Sequence, residues 1–89
     1  MIKIRRRGDF SEMLDALLAE DESLEQIVDE SIKWFQSNPT DTRLDNHPLT
    51  KRLEGKWAFS ITDDLRIVYE WLGKTTVRFL AIGGHKRVY

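Results

Sequence analysis

Cysteine is absent from the 89-residue chain, which excludes disulfides, thiolate zinc sites and cysteine nucleophiles and leaves no demand for an oxidising compartment. Its histidines number only 2, His47 and His85, far apart in the chain and too sparse for the usual cluster of metal ligands. No apolar run approaches the ~18 to 20 residues of a membrane span. The basic start Lys3, Arg5, Arg6, Arg7 leads into Asp9-Phe10-Ser11-Glu12 instead of the apolar stretch of an export signal. A nucleophile elbow and a phosphate-cradling glycine loop are also missing, since Gly83-Gly84 alone is a weak signal. The expectation is a cytoplasmic protein with no membrane contact and no cofactor.

What is present suits a packed globule: 40% hydrophobic residues, 33% charged and 10% aromatic. A chain of this length buries only ~60 to 65% of its unfolded surface, so one modest core and one domain over residues 1–89 are expected. The net charge of −1 conceals a sorting along the chain. Residues 1–8 carry four bases and no acid, residues 9–32 nine acids and no base, and residues 43–89 nine bases against five acids. An acidic segment beside a basic one suggests a polyanion-binding face, although a solvated helix surface explains the acids equally well.

Ile2-Lys3-Ile4-Arg5 alternates apolar and basic residues, as a short half-buried strand does. Asp9 or Ser11 can cap a helix over residues 10–20, with Phe10, Met13, Leu14, Leu17 and Leu18 on its inward stripe. Ser23 and Gln26 give the S-x-x-Q form of a capping box for a second helix, whose stripe of Leu24, Ile27, Val28, Ser31 and Phe35 runs to about Asn38-Pro39. Residues 37–48 read as a loop. Beyond it the period falls to two. Trp57, Phe59 and Ile61 share one face, as do Leu65, Ile67, Tyr69 and Trp71, and Val77, Phe79 and Ala81. Short breaks at Thr62-Asp63-Asp64 and Leu72-Gly73-Lys74 imply antiparallel hairpins. The expected fold is α+β, β-α-α-β-β-β, with two helices packed on a twisted, mainly antiparallel sheet.

The element order, together with Asn46-His47-Pro48-Leu49, Leu53-Glu54-Gly55-Lys56-Trp57, Asp64-Leu65-Arg66-Ile67-Val68-Tyr69 and Ile82-Gly83-Gly84-His85 before the closing Val88-Tyr89, resembles the RelE/ParE toxin superfamily. The likeness spans nearly the whole chain and leans toward the YafQ and YoeB branch, whose members cut messenger RNA on the ribosome, over the ParE branch that acts on DNA gyrase. It implies a RelE-like toxin of a type II toxin-antitoxin system with a cognate antitoxin, the ribosome and mRNA as partners. Carried over residue by residue, the resemblance places His47 at a functional histidine of YafQ-like toxins, Asp64 at a YafQ-like aspartate, and Arg66 at the arginine used on the scissile phosphate. His85 matches a C-terminal histidine and Tyr89 a terminal aromatic. The chain departs from the pattern at Ala58 and Ser60, where relatives carry basic side chains or a histidine.

Cleaving RNA without a metal takes a base for the ribose 2′-hydroxyl, a cation for the phosphate and an acid for the departing 5′-oxygen. Histidine serves either proton role, and arginine's planar fork matches phosphate. The expected assignment is Arg66 on the phosphate, His85 as acid, and His47 or Asp64 as base. Lys51, Arg52, Lys56, Arg78, Lys86 and Arg87 can contact RNA phosphates without reading sequence, and Tyr89 can stack on a base. Each has a plainer alternative. His47 can be only a loop residue, His85 a strand-end hydrogen bonder and Asp64 a hairpin-end residue. Arg66 can pair with Glu70 or Asp64, and a ParE-like or catalytically silent toxin acting by protein contact remains the rival reading.

Overall fold

The computed structural model describes residues 1–84. Strand β1 (Lys3–Arg6) is followed by helices α1 (Gly8–Glu20) and α2 (Leu24–Ser37), then β2 (His47–Pro48), β3 (Trp57–Ser60), β4 (Leu65–Trp71) and β5 (Thr76–Gly84). The described strands form one sheet in the order β1-β5-β4-β3-β2. Strands β2 to β5 pair antiparallel, β3–β4 and β4–β5 through the short turns that the residues at Thr62-Asp63-Asp64 and Leu72-Gly73-Lys74 implied. Strand β1 lies parallel to β5, with Ile4 opposite Val77, because the two helices between them carry the chain back across the sheet.

Both helices begin differently from expectation. Arg7, not Asp9 or Ser11, occupies the N-cap of α1 with no side-chain cap bond, and Asp9 falls in the first turn, where an acid favours the helix dipole. The expected capping box of α2 is not formed. Ser23 has helical dihedrals and makes no cap bond; instead its N–H and hydroxyl both donate to Asp21 Oδ1, at 3.1 and 2.5 Å. Aspartate two residues upstream outcompetes the serine because its carboxylate accepts both donors at once.

The core lies between the helices and one sheet face. Phe10, Val28 and Phe35 from the helices meet Phe59, Leu65, Ile67, Tyr69, Val77, Phe79 and Ile82 from the strands and Ile61 just past β3. Phe35 is the hub, stacked on Phe59 at 4.6 Å and edge-on to Tyr69 at 4.9 Å. One strand face differs from the alternation read in the sequence. Val68 pairs with Ala81 but Tyr69 pairs with Phe79, so Leu80 is an extra residue on β5. This bulge turns Ile82, not Ala81, into the core and puts Leu80 and Ala81 together on the opposite face.

Two features lie in the segment read as a loop. Asp41 caps a short helical turn, Thr42–Leu44, by accepting from Arg43 N, and the Arg43 guanidinium lies 3.8 Å from the centre of the Trp34 ring. Strand β2, only two residues long, adds to the sheet edge with His47 opposite Ala58 and Pro48 opposite Trp57. Proline is tolerated there because an edge residue has no second ladder to feed. No described helix is long and apolar enough to cross a membrane.

Candidate functional site

The sheet face turned away from the helices holds the candidate residues. Directly opposed residues share a face, so His47, Ala58, Val68 and Ala81 make one row across β2, β3, β4 and β5, and Ser60, Arg66 and Gly83 make another. Ala58 and Val68 of the first row join Leu80 in a small buried apolar cluster, with Leu49 and Ala81 packed on it. The structure therefore brings His47 and Arg66 to the same face.

Arg66 is the second residue of β4, the central strand of the sheet. It donates from Nη1 to Ser60 Oγ, its direct neighbour on β3, and from Nη2 to Asp63 O at 3.4 Å, while Nε is buried without a partner among the described residues. Neither carboxylate weighed as its partner forms an ion pair with Arg66 among the described residues, and Glu70 pairs with Arg78 at 3.5 Å instead. A guanidinium oriented by neutral acceptors keeps its charge for an incoming anion.

His47 begins the edge strand, half-buried, with Nδ1 2.7 Å from Asp45 O. Asp45 has left-handed dihedrals (φ 47°, ψ 45°), a conformation that aspartate tolerates better than most residues. Between the two, Asn46 is held at both ends of its amide. Tyr69 donates from its hydroxyl to Asn46 Oδ1 at 2.8 Å, and Asn46 Nδ2 donates to Pro39 O at 2.9 Å. Burial pushes the Tyr69 phenol up to about 12, so it stays a donor. His47 also lines an open cleft of about 520 Å³ with Pro48, Leu49, Thr50, Lys51, Arg52 and Leu53. Lys51 and Arg52 expose their side chains at its wall, and Lys51 adopts a left-handed φ of 59°. Lys56 is half-buried where the loop enters β3; its carbonyl accepts from Leu49 N at 2.8 Å.

Asp64 occupies the β3–β4 turn, as its turn preference implied, but its carboxylate is not simply turned to solvent. A Cβ on Gly84 would sit 2.9 Å from Asp64 Oδ2, so glycine leaves room for that side chain over the end of β5. Gly84 is paired with Leu65 and Gly83 with Arg66, so the Asp64 carboxylate lies at the β5 end of the sheet, away from the β2 edge that carries His47. Arg78 belongs to the same face, two strands from β3, but is engaged by Glu70. His85, Lys86, Arg87 and Tyr89 lie outside the described residues. No group of three or more potential metal ligands occurs among the described residues.

Sequence reasoning passed over Asn46 and Tyr69 as functional and treated Ser60 only as a departure from the pattern. For Ser60, the i,i+2 alternation with Ala58 and its cross-strand place opposite Arg66 were the available signal. For Asn46 there was none, because its partners lie 23 and 7 residues away.

Two helices on one face of a mostly antiparallel five-stranded sheet, with β1 returning parallel beside β5, define a RelE-like toxin fold. Among solved structures, YafQ from E. coli strain BL21(DE3) matches with a TM-score of 0.81 and 19% identity, over 100% of this chain and 99% of that one. A YoeB/ParE toxin from Agrobacterium tumefaciens matches with a TM-score of 0.78 and 18% identity, over 94% and 99%. The E. coli DinJ-YafQ complex matches with a TM-score of 0.71 and 20% identity, over 100% and 99%. At such identities the likeness is one of fold. No protein-family model and no curated protein sequence matches the chain.

Proposed function

We propose that this chain is the toxin of a type II toxin-antitoxin system, an endoribonuclease that cuts messenger RNA on the ribosome and is held inactive by a cognate antitoxin. The observation that carries the reading is Arg66, a central-strand guanidinium on the open sheet face with only neutral acceptors among its described partners. Its fold neighbours are toxins, and one of them was solved with a protein partner, DinJ.

In the proposed reaction a base takes the 2′-hydroxyl proton, the 2′-oxygen attacks phosphorus, and the 5′-oxygen leaves with a proton from an acid, giving a 2′,3′-cyclic phosphate. Arg66 neutralises the charge that grows on the phosphate. His47 or Asp64 serves as base and His85 as acid, with Tyr89 stacking on a base. Lys51 and Arg52 line the cleft beside His47, where they hold the RNA backbone. Lys56, Lys86 and Arg87 add to the same electrostatic footing, and Arg78 does so once released from Glu70.

One observation favours the rival ParE-like reading. Ala58, at the centre of the face, is buried in an apolar cluster where relatives carry polar groups, which suits a surface that works by protein contact. Primer extension on translated messages after induced expression separates the two. Message-specific breaks that vanish in Arg66→Ala support the nuclease. Growth arrest without breaks, together with inhibited gyrase supercoiling, replaces it with the rival.

A further inference from the structure

Nδ1 of His47 has a carbonyl oxygen as its partner, and a carbonyl can only accept. In the neutral ring the proton must therefore sit on Nδ1, leaving Nε2 as the lone acceptor. An imidazole free in water prefers the reverse arrangement, so the choice is imposed by what holds Asp45 O in place. That carbonyl belongs to a residue with left-handed backbone at the end of the Thr42–Leu44 turn. The next residue, Asn46, is fastened to the sheet by Tyr69 and to the preceding loop by Pro39. Tyr69 has no solvent exposure and sits mid-strand among Phe35, Phe59 and Trp71, so its hydroxyl is as fixed as the core itself.

We propose that Asn46 and Tyr69 are positioning residues that, through the backbone of Asp45, lock His47 in its Nδ1–H tautomer with Nε2 as its only acceptor. The hydroxyl of a core tyrosine thereby reaches a cleft-lining imidazole through one amide and one carbonyl. The catalytic use of this device rests on the proposed nuclease reading, in which an open Nε2 is what a base needs. The device itself does not.

The test is a two-bond ¹H–¹⁵N correlation of the histidine ring in uniformly labelled full-length protein at about pH 9, above histidine's ordinary range. The His47 pattern should show a protonated Nδ1 and a bare Nε2. Tyr69→Phe, which keeps the ring in the core and removes only the hydroxyl, should shift the population toward the Nε2–H form, as should Asn46→Ala. Should Asn46→Ala fail to fold, Tyr69→Phe still decides. A wild-type ring protonated on Nε2, or a Tyr69→Phe ring unchanged from wild type, overturns the proposal. The measurement needs no ribosome, so a protein that cleaves no message yet shows the Nδ1–H ring removes the nuclease reading and supports the positioning device.

Discussion

Replacing Arg66 with leucine should separate activity from stability. Among the described residues the side chain makes two hydrogen bonds, to Ser60 Oγ and, at the long distance of 3.4 Å, to Asp63 O. Ordinary bonds of this kind contribute about 0.5 to 1.5 kcal/mol each. Against them stands a buried Nε with no partner, a desolvation cost of about 1 to 3 kcal/mol, on a cation with no carboxylate in reach among the described residues. The opposing contributions cancel to within ~1 kcal/mol, and an apolar replacement for a desolvated charge is often neutral or stabilising. Arg66→Leu is therefore expected to unfold in urea within about 1 kcal/mol of wild type, measured by tryptophan fluorescence, out of a total near 4 to 13 kcal/mol for a chain of this size. Message cleavage should fall by about 10² to 10³, the usual loss when one group stabilising transition-state charge is removed. A destabilisation above roughly 2 kcal/mol would show that Arg66 is held for the fold and that its opposing contributions do not cancel.

Asp41 should titrate near pH 2 by carboxyl NMR, because hydrogen bonds from the Arg43 side chain and then its backbone hold the carboxyl down from 3.8. A depressed pKa means the contact stabilises the fold above about pH 4 and is lost as pH falls through about 2; Arg43→Ala should move the midpoint only part of the way back, since the backbone bond survives. Phe35→Ala removes the ring that Phe59 and Tyr69 pack against and should cost about 3 to 5 kcal/mol, seen as a lowered denaturation midpoint; a loss under 1 kcal/mol would deny Phe35 its central place. In Gly84→Ala the new methyl meets Asp64 Oδ2, the mobile end of a side chain, so stability should change by no more than about 1 kcal/mol. Cleavage should drop if Asp64 works where it stands, and unchanged cleavage would remove Asp64 from the mechanism.

Those elements whose burial has a long period were legible in the sequence. The stripe from Leu24 to Phe35 and the alternation along Leu65–Trp71 each repeat several times, and both appear where expected. Strand β2 was not legible because two residues cannot display a period of two, and one of them is proline. The bulge at Leu80 escaped for a related reason. Phe79, Leu80, Ala81 and Ile82 are all apolar, so nothing in the residue types marks where the alternation slips by one. The helix caps failed on local competition: Asp21 sits two residues before Ser23, and a carboxylate is the better acceptor.

For the candidate site, the sheet face was legible but the spacing was not. Arg66 could be assigned to the face opposite Leu65 and Ile67 from alternation alone, yet its distance to His47 depends on β2 joining the sheet. With His47 in the Ala58 row and Arg66 in the Ser60 row, two strands away, strand spacing and rise put their Cα atoms about 12 Å apart. An arginine and a histidine on one face across that span can hold a phosphate and the ribose attached to it. Asp64, in the turn before β4, carries its carboxylate beside Gly84 at the end of β5. His47 and Asp64 therefore make different demands on the RNA, because each as base requires the attacking ribose to lie on its own side of Arg66. Removing the 2′-hydroxyl one nucleotide at a time from a short message on the ribosome, in His47→Ala and Asp64→Ala backgrounds, should block cleavage at a single position in wild type. Residual cleavage should survive in only one of the two variants. Equal losses in both would mean that neither side chain alone takes the proton.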